Sequence, residues 1–408
     1  MRLWEFDRVG AMASSSFDIN KDGLQFVSAM LGFLTMNDEQ LGATTCWKAR
    51  RGGDKTNSPL VIKDSWQYPE REEEGKLLQE ATEKEVVNVA RYYYHETVRV
   101  NGEIDNIRNN VRKGLDVTQS TNFRPMRYEL PSAASGTAEI ERTGRSTSTT
   151  GQKRSSSQAS TIPPPKKRPC SSSPSKGVRD TNIQDRVHRR VVVKDYGIPI
   201  YRASSRVSLL RALENCIEGY QSLHTKAGLL QGDVSTGNLI LNEDVGNQSW
   251  SAFLIDLDLS IENHRERPSG ARGKTGTRAF MAIGLLLGEQ HSFRHDLESF
   301  FWVLFWICIH YNGLGQEVAP TDFDCWNYED DRKLARSKQG IVADEEDFVK
   351  IASELFSPYY QALVPWVNRL RRVVFPGGMR RKDDDTHLYG QMKNILQEAV
   401  SDPKVLAP

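Results

Sequence analysis

What this chain has little of narrows the field first. Its five cysteines (Cys46, Cys170, Cys216, Cys308 and Cys325) are scattered over 408 residues, with no CxxC pair and no histidine cluster at metal-ligand spacing. On sequence grounds that excludes a disulfide framework and a zinc module, and the thiols read as free ones in a reducing compartment. Cys308, inside an apolar run, reads as a small buried hydrophobe. Net charge is also scarce: 54 Lys and Arg against 53 Asp and Glu leave +1, so the whole molecule offers no electrostatic case for a nucleic-acid or membrane partner. Arg2, Glu5, Asp7 and Arg8 interrupt the first ten residues, so no secretory signal is read. The longest apolar run, Phe300 to Ile309, is about half the length that spans a bilayer. An intracellular protein is expected.

The length suffices for one large two-lobed core or two ordinary domains. Residues 1–42 are read as an N-terminal helical extension, because Leu24, Val27, Leu31 and Leu34 recur at helical spacing. Thr44 to Ala49 and Leu60 to Lys63 predict two strands joined by a turn at Arg51-Gly52-Gly53-Asp54. A helix is expected from near Pro69, with Glu74, Leu77, Leu78 and Ala81 on one face, followed by a strand over Val86 to Tyr94.

Residues 131–182 are rich in Ser, Thr, Pro and basic residues and almost devoid of large apolar side chains. Such a segment cannot offset an ordering entropy of roughly 1–2 kcal/mol per residue, and disorder is predicted. Strand-like sequence resumes at Arg190-Val191-Val192-Val193, so the segment reads as an insertion dividing one domain into 43–130 and 183–380, with 381–408 as a C-terminal tail. Lys153-Arg154 and Lys166-Lys167-Arg168 read either as a two-part nuclear import signal or as a solvated basic linker. Val207 to Leu223 has the spacing of a long amphipathic helix that stops by Gly228. Leu297 to Ile309 is apolar all round and predicts the buried helix of a helical lobe, and Val349 to Arg372 adds helix broken near Pro358 and Pro365.

The passage richest in chemistry is Leu229-Leu230-Gln231-Gly232-Asp233-Val234-Ser235-Thr236-Gly237-Asn238-Leu239-Ile240-Leu241. Apolar strands bracket a polar loop that presents one Asp and one Asn, and a further strand, Ala252 to Ile255, delivers Asp256. Phosphoryl transfer needs such a set: one carboxylate to orient a hydroxyl and accept its proton, and an amide and a second carboxylate to hold Mg²⁺ against phosphates. Asp233 is assigned as the base, and Asn238 and Asp256 as metal ligands.

On these residues the chain resembles the protein kinase superfamily, and more closely the fungal-type protein kinase family. Val61-Ile62-Lys63-Asp64-Ser65-Trp66 resembles the lysine strand, and Leu254-Ile255-Asp256-Leu257-Asp258 the metal-binding segment. Thr275-Gly276-Thr277 with Phe280-Met281-Ala282 resembles the end of the activation segment, and His295 to Phe301 the start of the buried helix. The likeness runs from about Thr44 to Val374, interrupted by the insertion. It implies an α+β, two-lobed kinase-like fold, with a small β-rich N-lobe truncated at its first strands and a helical C-lobe. It also implies ATP and Mg²⁺ as cofactors and a Ser/Thr hydroxyl of a protein as acceptor. By the same resemblance Lys63 binds the α- and β-phosphates and Glu74, rather than Glu72 or Glu73, holds it. Asp296 bonds the catalytic-loop backbone, and Val193 to Gly197 supplies the hinge for adenine.

The chain departs from that pattern in several places. Gln231 and Gly232 stand where His and Arg are usual, so no guanidinium is there to pair with a phosphorylated activation segment, and independence from such phosphorylation is expected. Gly284 stands where a Glu usually closes the segment, which predicts a weaker anchor. No GxGxxG precedes the Cys46 strand, only Leu41-Gly42-Ala43-Thr44, which predicts slow transfer and weak ATP affinity. These departures keep a pseudokinase scaffold as an alternative. Gly232 before Asp233 and Asp258 after Asp256 keep a small-molecule kinase of the aminoglycoside or choline type as another.

Overall fold

In the computed structural model the described residues are 4–7, 10–13, 44–50, 59–111, 185–262 and 276–407. The chain divides into residues 1–115 with 184–408, and residues 116–183; the latter, including the insertion expected at 131–182, lies outside the described residues. So do the helix expected around residues 22–34, the turn at 51–54 and the Leu41-Gly42-Ala43 stretch.

Trp4–Asp7 (β1) and Gly10–Ala13 (β2) pair antiparallel, Trp4 opposite Ala13. The described part of the expected helical extension is therefore a hairpin. Its signal was the strict apolar–charged alternation of Trp4, Glu5, Phe6 and Asp7, a period of two.

Thr44–Arg50 (β3) and Pro59–Gln67 (β4) pair antiparallel as expected, with Cys46 opposite Lys63. The helix α1, Glu74–Glu83, starts later than Pro69 because Arg71 N–H bonds the Tyr68 carbonyl in a turn and Glu73 is extended. The expected strand at Val86 to Tyr94 is displaced to Tyr92–Thr97 (β5). Positive φ at Glu85 (51°) and Asn88 (52°) breaks the extended path, and Val86, Val89 and Ala90 are buried instead. A two-stranded ribbon, Arg99–Val100 (β6) and Glu103–Ile104 (β7), leads outward, and Val187–Val193 (β8) returns. Among the described residues the main sheet is antiparallel in the order β3-β4-β8-β5.

Past Gly197, Ile198–Pro199 (β9) pairs with Leu239–Leu241 (β11). Arg206–Ser222 (α2) carries the expected stripe: Leu209, Leu213, Cys216, Ile217 and Tyr220 are all buried, and the Ser205 hydroxyl caps its start by accepting the Ser208 N–H. Leu229–Leu230 (β10) pairs with Ile261–Glu262 (β13), and β11 pairs with Ala252–Leu254 (β12). Phe293–His310 (α3) is the buried post of the helical lobe, with every residue from Leu297 to Ile309 enclosed and Cys308 among them. Truncating one of its rings to Ala costs about 3–5 kcal/mol.

Asp331–Ala343 (α4), Glu345–Leu355 (α5) and Val364–Val374 (α6) complete the lobe, with breaks near Pro358 and Pro365 as expected. The expected tail at 381–408 is a packed element: His387–Val400 (α7) lies on α2, with Tyr389 5.8 Å from Tyr220 and Lys393 bonded to Glu218. Its buried stripe, Leu388, Tyr389, Met392, Ile395, Leu396 and Ala399, was legible at helical spacing. Among the described residues no helix is long and apolar enough to cross a membrane.

Candidate active site

Antiparallel register places directly opposed side chains on one face of the sheet, so Lys63, Cys46 and Val191 share a face. Lys63 Nζ lies 2.8 Å from Glu74 Oε2 and 2.7 Å from Asp256 Oδ1. The other Glu74 oxygen accepts the Leu257 N–H at 3.2 Å, which ties α1 to the strand end that bears Asp256. Burial works against the Lys63 charge, yet Glu74 and Asp256 outweigh it and hold the ammonium firmly protonated. Glu74 is the buried member of its acidic run, whereas Glu73 pairs outward with Arg189 at 2.7 Å.

In the helical lobe, the loop between β10 and β11 presents Asp233 and Asn238. Asn238 Nδ2 donates to the Asp233 carbonyl at 2.9 Å and to its Oδ2 at 3.3 Å, which leaves the amide oxygen as its remaining polar end. The Thr277 N–H donates to Asp233 Oδ1 at 2.8 Å. Burial pushes the Asp233 carboxyl up, against the Thr277 hydrogen bonds. For Asp256, burial is outweighed by Lys63 and the carboxyl is held below its usual range. Its neighbour Asp258 is pushed up to about 8 by burial and by Asp256.

The residues at the His and Arg positions have structural explanations. Gln231 is fully buried, and its Nε2 donates to the Ile255 and Asp256 carbonyls at 2.8 and 3.0 Å, holding Asp256 at φ 64°. Gly232 has φ 79°, and a Cβ there would meet the Leu259 carbonyl oxygen at 2.4 Å. Its N–H donates to Asp296 Oδ2 at 3.3 Å, the backbone contact expected of Asp296. His291 holds the other Asp296 oxygen at 2.7 Å.

Sequence reasoning missed three residues here. Asp195, buried in the expected hinge, accepts from Arg91 and from the Trp250 N–H, which braces that segment. Lys338 holds the Met281 carbonyl at 2.7 Å. Glu289 supplies the carboxylate expected near residue 284: the space a Gly284 Cβ would fill is taken by Glu289 and His295, each 2.5 Å away. Glu289 bonds Arg380 at 2.8 Å and Arg294 at 3.2 Å, and its N–H donates to the Gly284 carbonyl at 2.9 Å. Asp195 and Lys338 had no local signal, because their partners Arg91 and Met281 are distant in the chain, and Glu289 joins the distant Arg380 to its neighbours Arg294 and His295.

Burial opposes the Glu289 charge, but bonds from Arg380, His295 and Arg294 outweigh it and bring its carboxyl from 4.5 down to about 2. A depressed folded value stabilises the fold above the unfolded value and loses that stability as pH falls through the folded one. Glu289→Gln should therefore lower the melting temperature at neutral pH, and the gap from the parent should close between pH 4.5 and about 2. A gap constant with pH would show that the ionised carboxylate contributes nothing.

A β-rich lobe bearing a Lys–Glu pair, set against a helical lobe bearing Asp233, Asn238 and Asp256, defines the protein kinase class. The chain belongs to the fungal protein kinase family, whose model matches residues 1–44 and 42–308. The match reaches back to residue 1, beyond the motifs that begin near Thr44, and ends at 308 rather than near Val374. No curated protein matches the chain.

Proposed function

We propose that the chain is an ATP-dependent protein kinase that transfers the γ-phosphate to a Ser or Thr hydroxyl of a protein. The 2.7 Å contact between Lys63 and Asp256 supports this reading most, because it draws the lysine of one lobe and the strand-end carboxylate of the other to a single cleft. Lys63 binds the α- and β-phosphates, with Glu74 fixing its direction. Asp233 orients the acceptor hydroxyl and takes its proton, held in place by Thr277 and Asn238. Val193 to Gly197 receives the adenine, and the Tyr196 ring there lies 3.8 Å beneath Lys48 Nζ.

The donor set fits a hard cation: the Asp256 carboxylate and the Asn238 amide oxygen are the ligand types Mg²⁺ takes. Among the described residues no group of three His, Cys, Asp or Glu side chains could hold a metal by itself. Two protein ligands with the remainder supplied by phosphate and water is the usual Mg²⁺ arrangement in phosphotransferases. When bound, Mg²⁺ neutralises charge on the phosphate oxygens.

Cys46 offers a direct test of nucleotide binding, since it is exposed and shares the Lys63 face, while Cys325 is exposed elsewhere. Mg²⁺-ATP should slow alkylation of Cys46 several-fold and leave Cys325 unchanged. Equal labelling with and without nucleotide would remove the support for an ATP site. Phosphate transfer to generic protein substrates, but not to a panel of small hydroxyl compounds, separates this reading from a small-molecule kinase. A scaffold would transfer to neither.

A further inference from the structure

The stretch from Thr277 to Ile283 is gripped at both ends. Its first N–H donates to Asp233 Oδ1 at 2.8 Å. Its last donates to Glu298 Oε1 of α3 at 2.7 Å, and the same oxygen accepts Trp302 Nε1–H at 3.0 Å. Between these grips, Lys338 of α4 donates from Nζ to the Met281 carbonyl at 2.7 Å. Lys338 is 0% exposed, with its ammonium 4.6 Å from the Trp302 ring centre and 5.1 Å from that of Trp326. The buried Glu298 carboxylate acts on it electrostatically.

An ammonium removed from water is costly unless it is held, and a well-packed apolar side chain in its place is often no less stable. Lys338 is therefore poorly explained as filler. Its contact with Met281 also has a stiff path to the catalytic loop. Between Met281 and Thr277 lies a single tight turn, Arg278–Phe280, closed by Phe280 N–H to Thr277 O at 3.0 Å and Met281 N–H to Arg278 O at 3.2 Å. Phe280 is locked edge-on against Trp306, with ring centres 5.6 Å apart. A shift of the Met281 carbonyl must therefore reach the Thr277 amide.

We propose that Lys338 is a positioning residue that, by holding the Met281 carbonyl, sets where Thr277 meets Asp233. It governs the transfer step and leaves nucleotide binding alone. The kinetic half of this statement rests on the kinase reading above; the positioning half does not.

The test compares the parent protein with Lys338→Met and with Lys338→Met/Glu298→Gln, which removes both charges and keeps an acceptor for the Ile283 N–H. Folding is checked by far-UV circular dichroism and melting temperature. Amide hydrogen exchange over 277–283, the Mg²⁺-ATP thermal shift, kcat and KM are then measured. Faster exchange over 277–283 is expected in both variants, with the nucleotide-induced shift unchanged. The expected loss of kcat is about 10–100-fold, the scale of a small misplacement of a catalytic group, with KM for ATP unaltered. The double variant should recover melting temperature without recovering kcat, and it carries the test if the single variant does not fold. Unchanged exchange in a folded variant, or kcat returning together with stability, would overturn the proposal. If the parent itself transfers no phosphate, the kinase reading fails, while the exchange measurement still decides the role of Lys338.

Discussion

Asp233→Asn is expected to lower phosphate transfer by about 10²–10⁴, the usual contribution of a positioned general base. The substitution is nearly isosteric, and an Asn side-chain oxygen can still accept the Thr277 N–H that Asp233 Oδ1 accepts at 2.8 Å. The fold and the Mg²⁺-ATP thermal shift should therefore survive. Asp256→Asn is the informative partner. It removes the charge facing Lys63 at 2.7 Å and the carboxylate assigned to the metal, so the thermal shift itself should shrink. The two variants thus divide chemistry from binding. Transfer within about twofold of the parent in Asp233→Asn would cancel the base assignment, since it falls far short of the usual effect. An undiminished thermal shift in Asp256→Asn would cancel the metal-ligand assignment.

The second large effect is expected at Gly232, which stands where the protein kinase pattern usually has an arginine. Neither Gly232→Arg nor Gly232→Ala should be tolerated. The residue has φ 79°, and its Cβ would lie 2.4 Å from the Leu259 carbonyl oxygen, a backbone atom that cannot rotate away. A non-glycine residue held in such a conformation costs about 1–3 kcal/mol before the collision is counted. At roughly 2–4 °C per kcal/mol for a domain of this order of size, the melting temperature should fall by several degrees. Transfer should fall with it, because the Gly232 N–H is what Asp296 holds at 3.3 Å. A Gly232→Ala protein as stable as the parent would mean that the loop runs further from Leu259. The same contact explains why independence from segment phosphorylation is expected: the position that would carry the guanidinium has no room for a side chain.

Much of the molecule was legible in advance because its signals are local. The three-to-four spacing at Leu209, Leu213, Cys216 and Tyr220 reports a buried face directly. The unbroken apolar run at Phe300 to Ile309 reports burial on every side. Glu74 was separable from Glu72 and Glu73 because one helical face holds it with Leu77, Leu78 and Ala81. Two misreadings had available signals, the period-two alternation at Trp4 to Asp7 and the helical stripe from Leu388 to Ala399. The displaced strand at Val86 to Tyr94 is of another kind. β-branched composition says that a segment suits a sheet, but positive φ at Glu85 and Asn88 and the bonds of Asn88 and Ala90 to Leu254 turn it into a link between lobes.

Residue order alone carried the strand and helix pattern and the motifs by which the chain resembles its family, and on that likeness rest the two-lobed α+β plan and the roles proposed for Asp233, Asn238, Asp256, Lys63 and Glu74, because motifs and periodicity are properties of short stretches of chain. Tertiary structure decided how the site is braced: Gln231 on the Asp256 carbonyl, Glu289 on Arg380, Lys338 on Met281 and Asp195 on Arg91. Those contacts join positions 25 to 104 residues apart. A hydrogen bond between such partners leaves no periodic trace in either neighbourhood, and only the folded chain brings the two ends within reach.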